Sequence, residues 1–352
     1  MEGPYPYYGP TGQLDAISDF RLDGTFALIG EDGDHFLDVE KKPQTILVSG
    51  KFNVNNHAHV VESTNQCGAE WFYNYFRHKS LRPFLTRQGA GRYKLNKAAL
   101  KEVPIVLPPL EEQRAINALF REWDTAIQKS EQLIAAKERY FAATSHLLLT
   151  SRKRLNGFSM KWGLRRADEV FENTSRKGHL NEPLLSVTQE RGVIPRDMLD
   201  GRVTMPSGET GSFKLVEPGN FVISLRSFQG GLEHSNYRGL VSPAYTVLKE
   251  VVEIDERFFR HYFKSADFIK RLSVAVIGIR DGKQISFQDF CSIKLPFPAV
   301  DEQKAIASFL DEAEGEITLL RRYTEALKAQ KRGLMQKLLT GQWRLPVQEE
   351  AN

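Results

Sequence analysis

The string LPPLEEQRAI at 107–116 returns 190 positions later as FPAVDEQKAI at 297–306. The same offset pairs Ile116 with Ile306, Ile127 with Ile317, Leu148 with Leu338, Thr150 with Thr340 and Leu155 with Leu345, without a gap from Pro108 to Leu155. A chance match loses register within a few residues. The chain therefore carries an internal repeat, and any fold it adopts contains one structural plan twice.

Each copy has a front part and a back part. The front parts are rich in Gly, Asn, Tyr and Phe, with short β-branched runs such as Thr45-Ile46-Leu47-Val48 and Phe221-Val222-Ile223-Ser224 between turn residues. That pattern predicts short strands and long loops in a mixed α/β globule. Aromatic-rich segments close each front part, from Trp71 to Phe84 and from Phe258 to Leu272, with spacing that suits helices packed on a sheet.

The back parts read as long helices. No Gly or Pro occurs between Leu110 and Asn156. Pro108-Pro109 followed by Glu111-Glu112 marks a helix start, because proline fits the first turn and acidic groups favour the positive dipole end. The first stripe carries Phe120, Ile127, Ile134, Phe141 and Leu148. The second carries Ala313, Leu320, Leu327 and Leu334, supported by Leu310, Ile317 and Leu338. A seven-residue period predicts a coiled-coil seam. Forty residues of helix would span ~60 Å at ~1.5 Å per residue. Each stripe alone would also suit a surface helix on its own globule; two in one chain favour pairing with each other.

The expected fold class is α+β: two mixed α/β globules separated by two long antiparallel coiled-coil helices in a pseudo-two-fold repeat. The expected divisions are a first globule at 1–106, a first helical spacer at 107–155, a second globule at 156–296, a second spacer at 297–345 and a tail at 346–352. The copies are unequal. Copy two has a lead-in from Lys161 to Pro195, whereas copy one opens at EGPYPYYGPTG, so the first globule is expected to be short of an N-terminal strand or two. Such a strand would come from a truncated segment or from elsewhere.

Composition narrows the class further. With 352 residues, 41% hydrophobic and 26% charged, the chain supports two or three domains and a sizeable core. No apolar run reaches the ~20 residues of a membrane helix, and the start shows no secretory signal pattern. Cys67 and Cys291 are the only cysteines, without a CxxC, which fits a reducing cytoplasm. A net charge of +4 permits a polyanionic partner without demanding one.

The order of globule, helix opening with LPPLEEQRAI, second globule and helix ending in LLTGQWRL resembles the specificity subunit of type I restriction–modification enzymes. The strings YPYYGPTG, KFNVNNHAHV and SFQGGLEHSNYRGLVSPAYTVL carry the same resemblance, which covers essentially the whole chain. It implies a non-catalytic, cytoplasmic subunit with two target-recognition domains, each reading half of a split, asymmetric double-stranded DNA target in phage defence. It implies helices that set the unread gap and dock two modification (methyltransferase) subunits. Restriction (translocase and endonuclease) subunits complete the complex. S-adenosylmethionine, ATP and Mg are expected on partner subunits, none on this chain, with no membrane partner.

The candidate DNA contacts lie in the globule loops. The first set is Tyr5, Tyr7, Tyr8, Lys51, Asn53, Asn55, Asn56, His57, Arg87, Arg92 and Lys94. The second is Arg226, Ser227, Gln229, His234, Asn236, Arg238, Arg280, Lys283 and Gln284. Arg and Lys suit phosphates and guanine edges, and Asn and Gln can pair bidentately with adenine. Each can equally be a solvated surface group. His57-x-His59 has metal-ligand spacing, but no Cys or acidic partner lies near it in sequence, and no metal is expected.

Enzyme signatures are missing: no phosphate-binding G-x-x-x-x-G-K-[ST], no dinucleotide G-x-G-x-x-G after a strand and no nucleophile elbow. LPPL at 107–110 lacks the polar first and aromatic last residue of the adenine-methyltransferase loop. Two alternatives remain open: the recognition portion of a fused restriction–modification enzyme whose catalytic region is absent here, and an interaction scaffold built on the coiled coil.

Overall fold

A computed structural model describes residues 3–39, 42–88, 92–199, 210–275 and 285–346. Contacts divide the chain into two units. Unit 1 is Met1–Gln132 with Arg322–Asn352, and unit 2 is Leu133–Arg321. Each unit thus takes part of both long helices.

Unit 1 opens with β1 (Tyr5–Gly9), β2 (Gly12–Ile17), β3 (Leu22–Gly30), β4 (Thr45–Val54) and β5 (Ala58–Val61) in one sheet of order β2-β1-β4-β3-β5. Helix α1 (Ala69–Phe76), a hairpin of β6 (Thr86–Gln88) and β7 (Arg92–Lys94), and the short α2 (Lys97–Lys101) follow, then the 40-residue α3 (Leu110–Leu149). Trp71, Tyr75 and Phe76 of α1 meet Ile29, Phe36 and Leu95 in a core that also takes Ile116 and Phe120 from α3 and Met335, Leu338 and Leu339 from the chain's last helix.

Unit 2 contains β8 (Gly163–Arg166), β9 (Phe171–Thr174), β10 (Leu185–Thr188), β11 (Gly192–Pro195), β12 (Lys214–Val216), β13 (Phe221–Ile223), α4 (Ser227–Gly230), β14 (Glu233–His234), β15 (Gly239–Val241) and β16 (Thr246–Glu250). Then come α5 (Glu256–Phe263), α6 (Ala266–Ala275), α7 (Phe287–Cys291), β17 (Lys294–Phe297) and the 40-residue α8 (Val300–Leu339). Phe171, Phe221, Phe258, Phe259, Phe263, Phe268 and Phe290 are all fully buried in one aromatic core. Fully burying one such side chain stabilises by about 1.5–3 kcal/mol.

The repeat is visible in topology. In unit 1, β3 lies antiparallel between β4 and β5; in unit 2, β13 lies antiparallel between β14 and β16. Unit 2 adds β9 beside β16 and pairs β8 with β17. In unit 1, β5 ends its sheet, and the stretch at 104–107, which stands 190 before β17, has no strand partner among the described residues. Val106 and Leu107 there are each 42% exposed.

The strings shared by the two copies build the same joint twice. Gln113 is 1% exposed; its Oε1 accepts from Gly68 N and its Nε2 donates to Pro108 O and Gln66 O. Gln303 is fully buried, accepts from Asp255 N and donates to Pro298 O. Each glutamine therefore ties the first turn of its long helix to the segment leading into α1 or α5. The neighbouring glutamates, each 2% exposed, receive an arginine from beyond the end of the other long helix. Arg344 donates to Glu112 at 2.5 Å in unit 1, and Arg154 donates to Glu302 at 2.5 Å in unit 2. Residues 112 and 302, like 154 and 344, differ by the repeat offset of 190.

Within each unit the two helix portions run antiparallel. Unit 1 joins Ser130 to Thr324 at 2.7 Å, Asp124 to Lys331 at 2.5 Å and Glu131 to Lys328 at 2.9 Å. Unit 2 joins Lys137 to Glu316 at 2.8 Å and Glu138 to Arg321 at 2.6 Å. The buried line of α8 is Leu310, Ile317, Thr324, Lys331 and Leu338, with Met335 and Leu339 beside it. Ala313, Leu320, Leu327 and Leu334 are only half-buried, so the expected main stripe is the flank of the seam. On α3, Phe120 and Leu148 are buried while Ile127, Ile134 and Phe141 are half-buried. No helix among the described residues is long and apolar enough to cross a membrane.

Candidate nucleic-acid interface

In unit 1 the candidate residues fall on the β1–β2 hairpin, the β4–β5 turn and the β6–β7 hairpin. Tyr8 packs edge-on against Phe52, 5.7 Å between ring centres. Tyr5 and Lys51 both rest on Phe20, at 4.9 Å and 4.6 Å. Tyr7 is half-buried on the same strand. Asn55 builds the turn: its Oδ1 accepts from His57 N and its N–H donates to Tyr8 O. Asn56 stands exposed at the tip. Asn53 is 6% exposed and its Nδ2 donates to Asp19 O at 2.7 Å, which withdraws it from the outward set.

His57 Nδ1 lies 3.0 Å from Asp32, and His59 is bonded to Leu95 O at 2.7 Å. The two histidines of NNHAH therefore serve different partners. On the hairpin, Arg87 is exposed and faces Tyr93 across the strands. Lys94 is paired with Glu31 at 2.9 Å. Arg92 lies on β7, and its side chain is outside the described residues.

In unit 2, Arg226 and Gln229 project from the turn around α4, and both are exposed. Ser227 is 1% exposed and its Oγ accepts from Ser224 N, so it shapes that turn. Asn236 is exposed after β14. Arg238 is held between Glu182 at 2.8 Å and Glu217 at 2.6 Å, so its charge is locally neutralised. His234 faces the core beside Phe221; burial, reinforced by the Arg260 guanidinium, pushes its pKa down to about 4. It is neutral at physiological pH. Arg280, Lys283 and Gln284 lie outside the described residues.

One neighbour was missed by sequence reasoning. Gln189, at the β10–β11 turn, is exposed and its Nε2 reaches Arg226 O at 3.4 Å. The signal was present as a turn, Thr188 to Gly192, between two β-branched runs.

Among the described residues one grouping has metal-like donor spacing: His261, Asp311 and Glu314. The Arg260 guanidinium already lies between them, 2.6 Å from Asp311 and 3.0 Å from both Glu314 and His261. That arrangement ties α5 to α8 through an organic cation. The exposed Arg, Asn, Gln and Lys groups offer hydrogen bonds and charge to a polyanion. None of the described candidates is placed as a nucleophile beside a base.

Comparison with known proteins places this geometry. The type I restriction modification DNA specificity domain matches residues 1–138 and 212–329. The MjaVIII specificity subunit of Methanocaldococcus jannaschii is 24% identical over 377 aligned positions, covering 98% of this chain and 87% of that one. A Haemophilus influenzae chain that bears the name of a type I restriction enzyme specificity subunit is 36% identical over 116 residues, 33% of this chain and only 29% of that relative's length. The crystal structure of a type I restriction–modification S subunit from M. genitalium superposes with a TM-score of 0.58 at 15% identity, covering 96% of this chain and 89% of that one. An HsdS subunit from Thermoanaerobacter tengcongensis gives 0.53 at 17% identity, covering 96% and 91%. The chain belongs to the type I restriction–modification DNA specificity family, the non-catalytic recognition subunits of those systems.

Proposed function

We propose that each unit reads one half of an interrupted double-stranded DNA target, and that the long helices set the unread gap and dock modification subunits. The observation that carries this reading is the joint built twice, Gln113 with Glu112–Arg344 and Gln303 with Glu302–Arg154. Like frameworks present like surfaces to a duplex that is itself two-fold symmetric. The reader loops they carry differ, Asn56 and Arg87 in one unit against Arg226 and Gln229 in the other, so the two half-sites differ. Exposed Arg and Lys neutralise phosphates while Asn and Gln read base edges. Methylation, cleavage and translocation belong to the modification and restriction subunits, which carry S-adenosylmethionine, ATP and Mg. A structure of a type I complex is also similar in fold, with a TM-score of 0.56.

Replacing residues 158–290 with the matching region of another family member tests the reading. Methylome mapping of cells carrying the complete system should show one half-site changed and the other retained. A target changed in both halves, or in neither, contradicts it.

A further inference from the structure

Lys264, the residue that closes α5, spends its ammonium on three separate segments. Nζ donates to Gln189 O at 3.1 Å, to Gly230 O at 3.0 Å and to Glu233 Oε1 at 2.5 Å. An ammonium has three N–H groups, so all are used. Glu233 is 1% exposed, and its other oxygen has no hydrogen-bond partner among the described residues. The Glu233 side chain is 2% exposed and that of Lys264 33%, so the pair is weak stabilisation: desolvation of the carboxylate offsets the attraction, and an apolar pair of equal volume serves as well or better. What an apolar pair cannot do is hold two backbone carbonyls from different turns at one point.

The glycines make the same surface close. Gly231 has φ +76°, and a Cβ there would fall 1.8 Å from Phe263 O. A Cβ on Gly230 would fall 2.8 Å from Gln189 Nε2. The α4 turn is thus pressed onto the end of α5 and onto the β10–β11 turn, and Lys264 bonds a carbonyl of each turn. These two turns carry the exposed side chains of Gln189, Arg226 and Gln229.

We propose that Lys264, paired with buried Glu233, is the positioning residue that locks the β10–β11 turn and the α4 turn into one reading surface for the half-site of unit 2. The inference rests on the DNA reading proposed above and adds which groups read together and what aligns them. Gln and Arg side chains discriminate bases only when their planar groups are held in register with the base edge, so loosening their platform degrades discrimination without removing charge from the surface.

The test uses the full chain with Lys264→Met and Glu233→Gln together, which leaves no buried carboxylate unpaired, and Lys264→Arg as a second variant that keeps the charge but not the three-way geometry. Amide hydrogen exchange is followed at 189 and 227–231. Binding to randomised duplexes is scored position by position in both half-sites, with its salt dependence. Both variants should speed exchange of those amides roughly tenfold or more while the rest of unit 2 stays protected. Discrimination should fall roughly tenfold in the half-site that follows residues 158–290 in the exchange of regions above, with the other half-site and the salt slope unchanged. Unchanged exchange, or a loss shared equally by both half-sites, overturns the proposal. Wild-type protein that selects no sequence removes the DNA reading instead, and the exchange comparison alone then decides whether Lys264 locks the two turns.

Discussion

Ser151 and Gly341 occupy the same position after the two long helices, and only one of them suits it. Both have positive φ, +56° and +74°. Both close the helix with the same pair of bonds: Ser151 N to Leu148 O and Lys153 N to Leu147 O, against Gly341 N to Leu338 O and Trp343 N to Lys337 O. A left-handed residue costs an L side chain about 1 kcal/mol that glycine does not incur. Ser151→Gly should therefore stabilise unit 2 by about 1 kcal/mol, seen as a raised urea midpoint at constant slope; a lowered midpoint contradicts the assignment. His234 supplies a pH effect. The unfolded chain takes up its proton near 6.5, while the folded site holds off until about 4. Stability is fully present above 6.5 and is lost as pH falls through that window, by about 1–3 kcal/mol at its lower end. His234→Phe should flatten this part of the curve relative to wild type, as followed by thermal melting between those pH values. An unchanged slope would show that His234 is already protonated or exposed. At this scale the sequence was a poor guide. It marks Asn53, Ser227 and Arg238 as polar loop residues, but not that Asp19, Ser224 and two glutamates claim them; those partners are 3 to 56 positions away, and only folding brings the distant ones close.

The long helices show which part of an element a pattern can reveal. Their existence was legible from the absence of glycine and proline in the first and from the proline-acid start of both. Their packed line was less so. The seven-residue apolar period puts Ala313, Leu320, Leu327 and Leu334 in the main stripe with Leu310, Ile317 and Leu338 as support, whereas burial follows Leu310, Ile317, Thr324, Lys331 and Leu338. Thr324 and Lys331 belong to the seam because Ser130 and Asp124 satisfy them, and hydrophobicity alone cannot register a polar residue whose partner lies on another helix. The Glu–Arg ties predict a graded response. Arg154→Met leaves Glu302, which is 2% exposed, with the Trp162 Nε1 bond alone among the described residues, and should destabilise unit 2 by about 2–4 kcal/mol in chemical unfolding. Arg344→Met should destabilise unit 1 by less, because Arg344 is 62% exposed on its side chain. At acid pH that second effect should shrink: Arg344's hydrogen bond holds the Glu112 carboxyl below the usual range, so its stability is present above that range and lost as pH falls through the lowered value. A loss in the Arg344 variant that persists unchanged at acid pH would show that the carboxylate is not what the arginine serves.

For the whole molecule, duplication was the most legible feature, because a repeat is written in covalent order and needs no contact to be seen. The 190-residue offset correctly pairs the buried glutamines, the glutamate–arginine ties and the two helix ends. What duplication does not carry is the identity of the proposed reading groups, since the loops are where the copies diverge. The proposed function is that two unlike readers on a common framework recognise interrupted DNA. Selection from a pool of random duplexes by the chain assembled with its modification subunits tests this most directly. The enriched duplexes should share two different short motifs separated by a gap of constant length and random sequence. A single continuous motif, or a gap of variable length, would contradict it.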